Sequence, residues 1–149
     1  PKKININLNQ ILRYVKDAVS LGFEDKNINF SEIYDPSLPP VNGNKDQLTQ
    51  LFMNLMKNSC EAVKNRGGHV SIKTKYEHGN FPLSVYIEDN GTGVPGNIKE
   101  NLFDAFVTSK RNGRGLGLSI SAKIVELHSG LIEFDTNKDK TIFKVMFKQ

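Results

Sequence analysis

From position 46 onward, Leu48, Leu51, Phe52, Leu55, Ala62 and Val63 recur along one side of a helix, and two runs of alternating residues, 70–76 and 83–88, follow it directly. The spacing predicts an amphipathic helix that ends near Arg66, Gly67 and Gly68. It then predicts a pair of strands joined through a polar turn at His78, Gly79 and Asn80. A helix with one apolar face must lay that face on something, and a half-apolar strand pair offers the surface. The chain is thereby committed to a layered α/β arrangement.

The flanking segments carry the same two periodicities. Residues 4–7 alternate as a short strand, and residues 8–21 repeat apolar side chains at Leu8, Ile11, Leu12, Val15, Ala18 and Val19, predicting a helix stopped by Gly22. Residues 28–33 alternate again and run into the turn-rich segment 35–40. After Pro95 a short helical stretch, 98–103, leads into a polar, glycine-bearing lid at 107–114. Residues 116–127 predict a strongly apolar helix closed near Ser129 and Gly130. Two last strands, 131–134 and 142–147, surround a turn at Asn137 and Asp139. The expected fold class is an α/β two-layer sandwich.

With 149 residues, of which 38% are hydrophobic, the chain can bury one real core and is read as a single domain, 1–149. No apolar run approaches the roughly 20 residues of a membrane span, and the first residues lack the apolar stretch of a secretory signal. The single cysteine, Cys60, excludes an internal disulfide and accords with a reducing compartment; as a side chain it reads as a small buried residue on a helix. The net charge of +4 is spread along the chain without a long basic run. The expectation is a soluble, cytoplasmic domain that contacts neither nucleic acid nor membrane. A local excess at Lys110, Arg111 and Arg114 flanks the glycine loop.

Three short runs carry the chemistry. Asn54 and Asn58 stand one helical turn apart, so that their carboxamide oxygens suit a hard cation that arrives with phosphates and water. Asn is a poor helix former, and two of them a turn apart on a good helix call for a reason beyond surface polarity. Lys57 between them either reaches phosphates or stands in solvent. Asp89 closes a strand immediately before a turn built on Gly91, Gly93 and Pro95, where backbone can approach a flat base. Gly113, Arg114, Gly115, Leu116, Gly117 and Leu118 form a glycine-rich loop running into a helix, whose amides and N-terminus can face phosphate oxygens. Arg114 is either a phosphate contact or a loop charge, and Lys110 is a mobile counter-charge.

These runs resemble the N box, G1 box and G2 box of the GHKL superfamily, which joins gyrase, the heat-shock chaperone, histidine kinases and the mismatch-repair ATPases. Phe103, Phe106, Thr108, Ser109 and Lys110 resemble the F box and short lid of sensor histidine kinases of the nitrogen-regulatory type. The resemblance covers residues 44–147 and implies a mixed sheet covered on one face by three main helices, with nucleotide between lid and helices. It further implies that Asn58 binds magnesium, that Asp89 accepts a hydrogen bond from the adenine amine and so excludes guanine, and that ATP and Mg²⁺ are the cofactors. On this reading the candidate catalytic residues are Asn54, Lys57 and Lys110. The nucleotide contacts are Asn54, Asn58, Asp89, Gly91, Gly93, Lys110, Gly113, Arg114, Gly115, Leu116, Gly117 and Leu118.

Position 54 departs from the ATP-hydrolysing members, which carry a glutamate there to activate water. A carboxamide cannot take a proton near neutral pH, so transfer to another acceptor is the expected reaction. Histidine kinases share this asparagine. Their phosphoacceptor histidine precedes Glu or Asp, whereas His69 precedes Val70, His78 precedes Gly79 and His128 precedes Ser129. His128 is read as structural. The implied partners are therefore a histidine-containing dimerisation domain, for which residues 1–27 are a candidate junction, and a response-regulator receiver domain. A GHKL-type ATPase, a protein serine kinase and a non-catalytic nucleotide-binding domain stand as alternatives.

Overall fold

The computed structural model describes residues 3–92, 118–137 and 139–149. Three α-helices occur among them, α1 (Leu8–Leu21), α2 (Lys45–Ala62) and α3 (Leu118–Leu127). The strands are β1 (Ile4–Ile6), β2 (Asn29–Ile33), β3 (Val41–Gly43), β4 (His69–Tyr76), β5 (Leu83–Asp89), β6 (Leu131–Asn137) and β7 (Lys140–Phe147). Five of them form a mixed sheet in the order β2-β4-β5-β7-β6, and β1 pairs with β3 in a second, two-stranded sheet. β2 and β4 are parallel, so the chain between them must cross over, and that crossover carries α2 onto the sheet. The other neighbours in the large sheet are antiparallel.

Alternation along the strands separates the two faces. Ile72, Ile87 and Phe143 stand opposite one another on β4, β5 and β7, all fully buried. One residue along, the row is Lys73, Tyr86, Lys144 and Glu133, with the Tyr86 ring between two lysine ammonium groups 5.9 and 5.4 Å from its centroid. The apolar face takes the helices. α2 lies against β5, α3 against β6, and α1 packs along α2 through Leu8, Ile11, Leu12, Val15 and Val19. This is the two-layer α/β sandwich expected from the sequence, with helices over one face.

Both long helices start at an asparagine. The Asn7 side chain accepts from the Gln10 amide at 3.2 Å, and that of Asn44 accepts from the Gln47 amide at 2.9 Å. α1 has the predicted bounds, whereas α2 ends at Ala62 rather than near Gly67, and Val63 is already extended at φ −83° and ψ 156°. The physical reason lies outside the helix. The Lys26 ammonium donates to the carbonyls of Cys60, Glu61 and Val63, and the Thr92 amide donates to that of Ala62. With these last carbonyls taken, the helix has no further turn to make. β3 was not predicted, since three residues with a glycine among them carry almost no alternation; its pairing with β1 creates it.

A polar knot fastens α1 to the sheet. Thr74, buried on β4, donates to Asn9 Oδ1 of α1 at 2.8 Å and accepts the Asp35 amide at 2.9 Å. Asn9 Nδ2 donates to the Asp35 carbonyl at 2.9 Å, closing the ring. Removing the hydroxyl without changing the side chain's shape strands two of these groups. Thr74→Val is therefore expected to lower unfolding stability by about 1–3 kcal/mol in a urea titration. A loss below about 0.5 kcal/mol would mean that the knot contributes nothing net.

Candidate functional site

The last residue of β5 is the centre of the site. Asp89 stands between Val70 on β4 and Thr141 on β7, and it is only 1% exposed. Its Oδ1 accepts the Gly91 amide at 3.0 Å, an Asx turn that starts the chain's departure from the sheet. Asn90 locks that turn to its neighbour. Its Oδ1 accepts the His69 amide at 2.8 Å, its Nδ2 donates to the Gly67 carbonyl at 2.8 Å, and its own amide donates to the His69 carbonyl at 3.2 Å. Sequence reasoning assigned Asn90 no role; an Asn between Asp and Gly in a strand-end turn is the local signal that could have found it.

Gly91 meets helix α2 directly. A β-carbon there would lie 2.3 Å from the Ala62 carbonyl oxygen and 2.9 Å from the Val63 nitrogen. The missing side chain of Gly91 thus admits the end of a helix. The Thr92 amide then donates to Ala62 at 3.2 Å, so helix and turn are joined at one carbonyl.

One helical turn before that carbonyl stands Asn58, 2% exposed, and one turn earlier Asn54, half-buried. Lys57 is exposed. Both asparagines thus belong to the helix whose end is fixed against the Asp89 turn. Leu118, at the start of α3, is fully buried. The candidates Gly93, Lys110, Gly113, Arg114, Gly115, Leu116 and Gly117, with Phe103 and Phe106, lie outside the described residues.

Two other titratable groups near these elements are structural. His128, at the end of α3, accepts the Asn44 amide through Nε2 at 3.1 Å, which leaves the proton on Nδ1 to be donated to the Ile124 carbonyl at 2.8 Å. It ties α3 to the cap of α2, as its reading as a structural residue requires. Burial pushes the Cys60 thiol up to about 12, with Lys26 opposing and Asp89 reinforcing that shift. Such a thiol is no nucleophile.

Among the described residues no three His, Cys, Asp or Glu side chains gather as a metal site. Asn58 could offer one carboxamide oxygen to a hard cation that carries phosphates and water as its other ligands.

Residues 43–149 match the family model described as histidine kinase-, DNA gyrase B-, and HSP90-like ATPase. Among curated proteins, the sensory histidine kinase/phosphatase NtrB of Azospirillum brasilense is 47% identical over 152 residues, which cover 94% of this chain and 38% of that protein. NtrB of Rhizobium leguminosarum bv. phaseoli is 41% identical over 158 residues, covering 97% and 41%. The chain thus spans about two fifths of the length of these relatives. Among solved structures, the nucleotide-free catalytic domain of histidine kinase ThkA is similar with a TM-score of 0.86 and 28% identity, over 99% of this chain and 96% of that one. ThkA in complex with the response regulator protein TrrA gives a TM-score of 0.79 at 26% identity, over 98% and 41%.

The Gly91 contact has a direct consequence. Gly91→Ala presses a methyl group onto backbone that cannot rotate away, and is expected to lower stability by about 1–3 kcal/mol. Gly22→Ala is the control, since a β-carbon there meets the Val19 carbonyl at an ordinary 3.5 Å. Thermal unfolding of both variants checks this, and equal behaviour would contradict the contact.

Proposed function

We propose, since the chain belongs to the histidine kinase-, DNA gyrase B- and HSP90-like ATPase family and is an NtrB-like histidine kinase ATP-binding catalytic domain, that it delivers the γ-phosphoryl group of ATP to a histidine on a dimerisation domain of the same kinase. A response-regulator receiver domain would then take the group from that histidine. The TrrA complex of the ThkA relative supports such a partner. The work is expected in the cytoplasm, where ATP and receiver domains meet.

The observation that carries this reading is the buried Asp89 carboxylate at the end of β5, held against the end of the helix that bears Asn58. A carboxylate there accepts from an exocyclic amine, so it favours adenine and disfavours guanine, which presents a carbonyl on the same edge. Asn58 offers a neutral oxygen to a magnesium ion already neutralised by phosphates. When bound, magnesium shields the phosphate charge and orients the terminal group for transfer. Lys110 and the glycines 113, 115 and 117 are proposed to close over the phosphates, with Arg114 beside them and Leu116 and Leu118 anchoring the following helix. Gly91 and Gly93 are proposed to let the turn after Asp89 pass the base.

Asn54 separates transfer from hydrolysis. Its carboxamide cannot take a proton from water, whereas an acceptor imidazole brings its own nucleophilic nitrogen. What then remains for the chain is positioning and charge stabilisation.

Labelled ATP mixed with this chain, with and without a separately supplied histidine-bearing hairpin of the kinase, tests the proposal. Label should move to the hairpin, should not accumulate on this chain, and should not appear quickly as free phosphate. Asn58→Ala is expected to slow the transfer by at least about tenfold through loss of the metal ligand. Self-labelling, or rapid phosphate release without the hairpin, would overturn the reading in favour of a serine kinase or an ATPase.

A further inference from the structure

Lys26 lies outside residues 43–149, which match the family, and no local sequence signal singles it out. It ends a one-turn 3-10 helix, Glu24–Lys26, closed by Asn27 in the left-handed conformation at φ 51°. From there its ammonium reaches the far end of α2 and donates to the carbonyls of Cys60 at 3.0 Å, Glu61 at 3.1 Å and Val63 at 3.1 Å. An ammonium group has three protons, and three acceptors surround it. The last turn of α2 has no basic residue of its own, so Lys26 supplies the positive charge that the negative end of the helix dipole favours.

The division of carbonyls is informative. Lys26 holds those on either side of Ala62, and the Ala62 carbonyl is left for the Thr92 amide and for the close contact with Gly91. The same segment is pinned again by the Asn29 amide on the Gly68 carbonyl at 2.9 Å, while Asn90 holds Gly67 from the other side. Lys26 thus holds the carbonyls that flank Ala62, and the end of the Asp89–Thr92 turn is bonded to the Ala62 carbonyl itself.

We infer that Lys26 is a positioning residue for nucleotide binding: through the carbonyls of Cys60, Glu61 and Val63 it fixes the end of α2 on which the Asp89 turn rests, and so fixes where Asp89 stands relative to Asn58. The inference rests on the nucleotide reading proposed above. Lys26 itself touches no phosphate in this account, which distinguishes it from Lys110. Its loss should therefore weaken all ligands that share the adenine end, whatever their number of phosphates.

The test is calorimetry of ATP, ADP and adenosine with the parent chain, Lys26→Met and Lys26→Arg, at a temperature where each is folded by circular dichroism. The parent must bind ATP; failure there sinks the nucleotide reading itself and is seen before any variant is compared. With Lys26→Met, affinity for all three ligands should fall by a similar factor of about ten, and Lys26→Arg, which keeps charge and donors, should stay within about threefold of the parent. Parent-like affinities in Lys26→Met would overturn the inference, and so would equal losses in the Met and Arg variants. A loss that grows from adenosine to ATP would also overturn it, by making Lys26 a direct phosphate ligand. Should methionine leave the chain unfolded, Lys26→Gln carries the same comparison, with a common loss supporting the inference and parent-like affinity opposing it.

Discussion

The Ala62 carbonyl oxygen occupies the space that a β-carbon at position 91 would need, and the described part of the candidate site is arranged around that approach. A helix C-terminus presents unsatisfied carbonyls, and a strand-end turn presents unsatisfied amides. Here the two ends are set against each other, with the Thr92 amide on Ala62 and glycine at the point of contact. Because Asn58 is on that helix and Asp89 on that strand, one junction determines how the Asn58 carboxamide and the Asp89 carboxylate stand to each other. The polar groups around it satisfy one another: Asp89 holds Gly91, Asn90 holds Gly67 and His69, and Lys26 holds the helix end. Satisfied networks of this kind are rigid, which is what a site built from separate elements requires.

The rest of the fold gives the junction something to stand on. The β2-to-β4 crossover brings α2 over the sheet, and the buried row Ile72, Ile87 and Phe143 gives it an apolar floor. At the other end of α2, His128 of α3 accepts the Asn44 amide, so the N-terminus is tied to a second element as well. A helix secured at both ends against different partners has little freedom to shift its middle turns, where Asn54 and Asn58 lie. The opposite face of the sheet, with Lys73, Tyr86, Lys144 and Glu133 in a row, keeps charge away from the helices.

Much of this was legible in the sequence, and the misses share one cause. The bounds of α1 and the strand ending at Asp89 follow from periodicity and local turn chemistry, and the structural role of His128 follows from the family resemblance. The end of α2 was misplaced because the group that caps it, Lys26, is 34 to 37 residues away in sequence. Strand β3 was missed because Val41, Asn42 and Gly43 gain strand character only from β1. Backbone access at Gly91 is legible in the sequence, and its contact with Ala62 is not, because the two residues meet only in the fold. Local pattern names residues and elements; contacts between distant segments decide what each residue is for.

The central claim is that this junction is where ATP is read, base at Asp89 and metal at Asn58. A crystal structure of the chain grown with Mg²⁺ and a non-hydrolysable ATP analogue tests it most directly. The account predicts the adenine amine about 3 Å from an Asp89 carboxylate oxygen and a magnesium ion about 2.1 Å from Asn58 Oδ1. Nucleotide bound with its base away from Asp89, or magnesium held on the phosphates without Asn58, would contradict it.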